Sequence, residues 1–166
     1  FSPDLTLTRA QFLTILYRVL EQPEAPEATQ FTDLTQDWYK KAIGWAVSRG
    51  IVNGTSDTTF SPDATINQEQ IATMLYRCAN DGGVLERQRE EFARFQQDEI
   101  HGDPNINYAD VNEAPEYARN PLKWCHIIVC TEQLDGGSVV KLLPKYTPTR
   151  YEAAGIFCRF HTVYYN

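Results

Sequence analysis

Residues 60–79, FSPDATINQEQIATMLYRCA, decide the fold because they occur more than once. Residues 1–20, FSPDLTLTRAQFLTILYRVL, repeat the Phe-Ser-Pro-Asp opening, a Thr, an aliphatic residue and a helix-like run at an offset of 59 residues. A third, looser copy starts at Leu142, where LLPKYTPTRYEAAGIFCRF keeps Pro144, the Thr149-Arg150 pair and the apolar run. Self-similarity at such a period makes the repeat, and not the whole chain, the unit to be read.

Each copy opens its helix with a capping signal. Thr8 with Gln11, Asn67 with Gln70 and Thr149 with Glu152 fit the capping box, in which the first side chain accepts from the N3 amide and the N3 side chain reaches back. Apolar residues follow at helical spacing: Phe12, Ile15, Leu16 and Val19; Ile71, Met74, Leu75 and Cys78; Ala153, Ile156, Phe157 and Phe160. One buried stripe per helix predicts that the three pack on each other as a central bundle with pseudo-threefold symmetry.

The rest of the chain fits between these helices. Residues 21–30, EQPEAPEATQ, carry two prolines and three acids and read as a surface linker. Phe31-Thr32-Asp33-Leu34 then leads into a helix over Trp38–Arg49 with Trp38, Ala42, Trp45 and Ala46 on a broad apolar face. Gly50 suits the left-handed position that stops such a helix, with Ile51 packing back, and residues 53–57 make a polar turn before Phe60. Residues 81–107 interrupt the pattern with an amphipathic helix, Leu85, Phe92 and Phe95 on one side, read as a surface helix or as a partner-binding one. Tyr108-Ala109-Asp110-Val111 restarts the unit, with Tyr117, Leu122, Trp124, Ile127 and Ile128 on its first helix, Pro121 near the start of that helix, and a short strand expected over Ser138–Leu143. The division is 1–20, 31–80 and 108–161 as repeats and 81–107 as an insertion, in one mainly α domain with peripheral helical lobes and short strands or turns.

A chain of 166 residues, 42% hydrophobic, is long enough for one sizeable core. A net charge of −7 with no offsetting basic run argues against a nucleic-acid partner, although it leaves room for an anion at a local basic pocket. No apolar run approaches the roughly 18 residues of a membrane span. Phe1 begins inside a repeat, which reads as a piece of something larger. Cys78 and Cys158 sit in helices as small hydrophobes, and Cys125, His126 and Cys130 lack a fourth ligand and a common face, so neither a metal nor a cofactor is expected. No nucleophile elbow or paired-carboxylate signature suggests an enzyme.

Residues 31–79 resemble the S-layer homology domain of bacterial surface proteins through Phe31, Asp33, Trp38, Ala42-Ile43, Gly50-Ile51, Gly54, Asp57, Phe60, Pro62 and Ile66. Residues 1–20 match the second half of that pattern, and 108–160 match all of it with a loose middle. The resemblance implies three repeats, the first truncated, with a central spindle and lobes. It also implies an extracellular anchor that binds secondary cell-wall polysaccharide, often pyruvylated, in grooves between lobes.

The candidate ligand residues are Arg9, Arg150, Trp38, Gly54, Ser56, Asp57 and Glu152. A cation in the first turn faces the positive end of the helix dipole, so Arg9 and Arg150 ask for an explanation. An anion held by exposed helix-start amides and a guanidinium is one, and pairing with Asp33 or Asp110 is the other. Trp38 is read as a sugar platform or as core, and Gly54 to Asp57 as a ligand loop or as a turn that needs Gly for its backbone angles. The capping box accounts for Glu152 without any ligand. The second copy has Gln68 in place of Arg, so its groove is not equipped in the same way. The alternative to glycan binding is a degenerate structural or assembly module that binds another protein or itself.

Overall fold

The computed structural model describes residues 2–27, 30–88, 107–128 and 139–165. Its helices are α1 (Arg9–Val19), α2 (Asp37–Ser48), α3 (Gln68–Asp81), α4 (Glu116–Ile128) and α5 (Arg150–Tyr165), with a helical stretch at 84–88. Strands β1 (Asn107–Tyr108) and β2 (Val139–Val140) pair in parallel. The protein is mainly α, and the expected strand after residue 138 is present as β2. Most of the inserted helix, Cys130 and the turn at 131–137 lie outside the described residues.

Residues 1–66 with 147–157 form one compact unit, and residues 67–146 with 158–166 form another. In the first unit α2 packs on α1, with the Tyr17 and Trp45 rings 5.6 Å apart. On another side of α1, Phe12 stacks at 4.8 Å on Phe157 of α5. Serving two neighbours explains why Leu13 and Tyr17 are buried beside Phe12 and Leu16, while Ile15 and Val19 are only half-buried. A single stripe therefore understates what α1 covers. In the second unit α4 packs on α3, and Tyr76 meets Trp124 at the same 5.6 Å. The lobe helix of one copy thus rests on the capped helix of the copy before it.

The capping boxes form as read. Thr8 accepts from the Gln11 amide at 3.2 Å, Asn67 from Gln70 at 3.1 Å and Thr149 from Glu152 at 3.3 Å. The N1 and N2 amides of each helix are also taken. Arg9 and Ala10 donate to the carbonyls of Ala64 and Pro62 at 2.9 and 3.0 Å, and Gln68 and Glu69 to those of Tyr146 and Pro144 at 2.7 and 3.0 Å. Arg150 and Tyr151 donate to Leu5 and Pro3 at 2.7 and 3.1 Å. Each helix start therefore leans on the Pro-containing loop of the next copy, and the third on that of the first. These bonds satisfy the orphan donors that every helix N-terminus leaves.

The receiving loops carry strain. Ser2, Ser61 and Leu143, each just before the Pro, have φ of 49°, 59° and 46°. A non-Gly residue in this region costs of order 1–3 kcal/mol and persists only when its surroundings over-determine it. The carboxylate of Asp33 does so by accepting from the Phe60 amide at 2.9 Å and the Ser61 amide at 2.7 Å. Asp110 repeats this with Leu142 at 2.7 Å and Leu143 at 2.8 Å.

The stop after α2 is a Schellman motif. Gly50 has φ +67°, its amide reaches Val47 O at 3.0 Å, and the Ile51 amide reaches Ala46 O at 2.8 Å. Two expectations need correction. Pro121 lies in the second turn of α4 and not at its start, a position that costs about 3 kcal/mol in an isolated helix. Burial of Ala118, Leu122 and Trp124 against the second unit's core offsets it. Tyr117, expected on the core face, is 59% exposed.

Replacing Asp33 or Asp110 with Ala should destabilise the fold by about 3 kcal/mol each, since two amides and a left-handed residue lose their acceptor together. Urea titration monitored by tryptophan fluorescence measures this. His126 is half-buried edge-on to Tyr108, and burial lowers its pKa from 6.5. The folded state then holds the neutral ring more tightly than the unfolded state does, so this contribution is complete above about pH 6.5 and fades as pH falls through the lowered folded value. In His126→Asn that part of the acid sensitivity of the unfolding midpoint should disappear.

Candidate functional site

The candidate residues separate into two places, both in the first unit. Arg9 lies at the 53–61 turn and is 5% exposed. Its guanidinium Nε donates to Phe60 O at 3.2 Å, Nη2 to Asn53 O at 3.4 Å, and its carbon sits 4.7 Å above the Phe60 ring. Arg9 therefore clamps the loop that α1 leans on. Asp33 accepts from the amides of the same loop, at Phe60 and Ser61.

Gly54, Ser56 and Asp57 belong to the same turn. A Cβ at Gly54 would stand 2.5 Å from the Phe31 ring and from Thr59 O, and closer still to Ser56 O. Crowding, and not an unusual backbone angle, is what demands glycine. The Ser56 hydroxyl accepts from the Thr58 and Thr59 amides at 3.3 and 3.1 Å and lies 2.6 Å from the Thr59 hydroxyl. Those bonds describe a self-contained turn. Asp57 is exposed on it.

The second place is a groove of about 500 Å³ lined by α1, α5, Leu7 and Trp38. Gln11, Thr14, Ile15 and Arg18 come from α1, and Arg150, Ala153, Ala154 and Phe157 from α5. Its size lies within the range of small-ligand sites. Trp38 is 50% exposed and touches Tyr39 edge-on, ring centres 4.8 Å apart. The expectation that it serves as core fails, because the buried face of α2 runs through Tyr39, Ala42, Ile43 and Ala46 instead. Arg150 is half-buried and lines the groove. Glu152 is held by the Thr149 amide at 2.7 Å and is not among the lining residues. Sequence reasoning missed Gln11, Thr14 and Arg18; their i, i+3 and i+7 spacing on one helix was the available signal.

The second unit replaces the arginine clamp with an ion pair. Glu69 is buried at the start of α3, and Lys145 from the receiving loop reaches its two oxygens at 2.7 and 2.8 Å. Here the acid is on the helix and the base on the loop. The helix starts are thus sealed in different ways and share the carbonyl contacts.

Residues 30–72 match the family model of the S-layer homology domain. Over those residues the chain is similar to the S-layer homology domain. It is 34% identical over 95 residues to the cellulosome-anchoring protein of Acetivibrio thermocellus, covering 52% of this chain and 21% of that protein. It is 28% identical over 160 residues to an endoglucanase of a Bacillus species, covering 94% of this chain and 15% of the enzyme. With the surface-layer 125 kDa protein of Lysinibacillus sphaericus it shares 37% identity over 76 residues, 45% of this chain and 6% of the relative. The chain therefore spans about a fifth or less of these relatives. The S-layer homology match takes in Asp33, Gly54 and Phe60, which build the strained loop and its turn, together with Gly50 at the stop of α2 and Trp38. Among the described residues no helix is long and apolar enough to cross a membrane, and no cluster of His, Cys, Asp and Glu could hold a metal.

Gly54→Ala should destabilise the first unit by about 2 kcal/mol, as overpacking against two carbonyls and a ring leaves no direction for relief. Thermal unfolding checks it, and Gly50→Ala, strained only by its φ, should cost less, about 1 kcal/mol.

Proposed function

We propose that this chain binds an acidic cell-wall glycan non-covalently in the groove between α1 and α5 and so anchors a larger protein at the bacterial surface. One observation carries the reading: Trp38 and Arg150 line one groove whose other walls are largely apolar. An exposed indole supplies a flat platform for the apolar face of a sugar. A guanidinium supplies a bidentate, charge-assisted contact to a carboxylate or phosphate. The helix-start amides take no part, because carbonyls and caps already hold them. A pyruvyl ketal on the sugar would offer both a carboxylate and an apolar methyl to such a site.

The relatives support an attachment module over an enzyme. Proteins with names as different as an anchoring protein, an endoglucanase and a surface-layer protein share this segment over a small part of their length. What they have in common is the segment and not the activities named. We propose the same repeat boundaries as the sequence suggests, with each lobe completed by the capped helix of the preceding copy.

A second reading is favoured by the fate of the other two helix-start positions. Arg9 is spent on the fold and Gln68 brings no charge, so the module keeps its architecture with fewer ligand cations. That suits an assembly module that pairs with a protein. Co-sedimentation with purified wall polysaccharide separates the two. Anchoring predicts retention that Trp38→Ala and Arg150→Ala each weaken about tenfold or more, without change in the far-ultraviolet circular dichroism. Absence of retention by the unaltered chain would decide for assembly.

A further inference from the structure

We infer that Gln11 is a specificity-determining residue of this groove, a neutral hydrogen-bond donor at a place where the fold would accept a carboxylate; this rests on the glycan reading of the same groove. Gln11 is half-buried and lines the groove near the start of α1. Its Oε1 accepts from the Thr8 amide at 3.1 Å as the return bond of the capping box. A backbone N–H can only donate, so that bond fixes which end of the side-chain amide is the oxygen. The other end, Nε2, carries two N–H donors and makes no hydrogen bond among the described residues. An oxygen of a ligand in the groove would take one of them.

The cap alone does not explain glutamine. It needs one oxygen at N3, which Glu supplies as well as Gln. In α5 Glu152 makes the same return bond to the Thr149 amide at 2.7 Å, and Glu152 does not line the groove. The helix dipole favours the acid. The other helices follow that preference, with Asp37 in the first turn of α2, Glu69 in α3, Glu116 in α4 and Glu152 in α5. The first turn of α1 has no acid. Gln70 holds the same cap position in α3, but there Glu69 supplies the charge. Nor is any acid among the residues lining the groove, in a chain with 22 acidic and 15 basic residues. The helix α1 therefore forgoes a stabilising charge at the turn that borders the groove. A neutral amide there gives an acidic ligand a donor, whereas a carboxylate would meet it with like charge and no donor.

Isothermal titration of the whole chain with purified wall polysaccharide tests this on Gln11→Glu, with Gln70→Glu as the same exchange at the cap of α3. Gln11→Glu should keep the capping box and unfold at the same temperature or higher, while its affinity for the polysaccharide falls about tenfold or more, as the loss of one charge-assisted contact predicts. Gln70→Glu should bind like the unaltered protein. The gap between the unaltered protein and Gln11→Glu should narrow at high salt, because repulsion by the new carboxylate is screened, whereas a gap caused by misfolding would stay. Equal binding by Gln11→Glu, a lower unfolding temperature, or a gap that ignores salt overturns the role of Gln11. If Arg150→Ala weakens binding in the same titrations, the glycan reading stands without it. If the unaltered chain does not bind the polysaccharide, both fall.

Discussion

A carboxylate that receives two consecutive backbone amides holds this fold in place. Asp33 grips the amides of Phe60 and Ser61, and Asp110 grips those of Leu142 and Leu143. The grip keeps the residue before each Pro in the left-handed region, and that turn aims the Pro carbonyl and the carbonyl two residues on at a helix start. The receiving helix belongs to the preceding copy, so a short-range clamp becomes the bond between copies. Without the carboxylate the loop would relax toward the extended conformation that residues before proline prefer, and two helix-start amides would lose their acceptors.

This arrangement shapes how a ligand can be held. A helix N-terminus ordinarily offers free amides to an anion, but here the first amides are satisfied by carbonyls and the third by the cap. An anion at one of these helix starts would therefore meet side chains and not free amides. Those side chains differ in what they are left to do. Arg9 is drawn inward by the Phe60 ring and carbonyl, Glu69 is drawn to Lys145, and Arg150 lines a groove. First-turn side chains of the three capped helices thus end in different surroundings according to what the neighbouring loop supplies.

The corrections trace to one physical cause. Helical spacing places Trp38, Tyr117, Ile15 and Val19 on apolar faces, yet they are exposed or half-buried. Periodicity reports that a helix has an apolar side. It does not report how many neighbours divide that side, and α1 serves two. In the same way Gly54 announces a constrained turn, while the reason for the constraint, two carbonyls and a ring, comes from residues brought in by the fold.

The sequence by itself determined the repeats, the helix starts and the helix stop. Capping boxes, the Gly50 signal and apolar spacing are local, and local bonds of a few residues' reach write them. Tertiary structure alone decided which carbonyls the helix starts lean on, that Arg9 is internal while Arg150 faces a groove, and that Arg18 shares that groove. Such pairings join residues as distant as Arg150 and Leu5, and only the folded chain brings them within hydrogen-bond reach. A guanidinium's role depends on what stands within a few ångströms of it, which no spacing along the chain records.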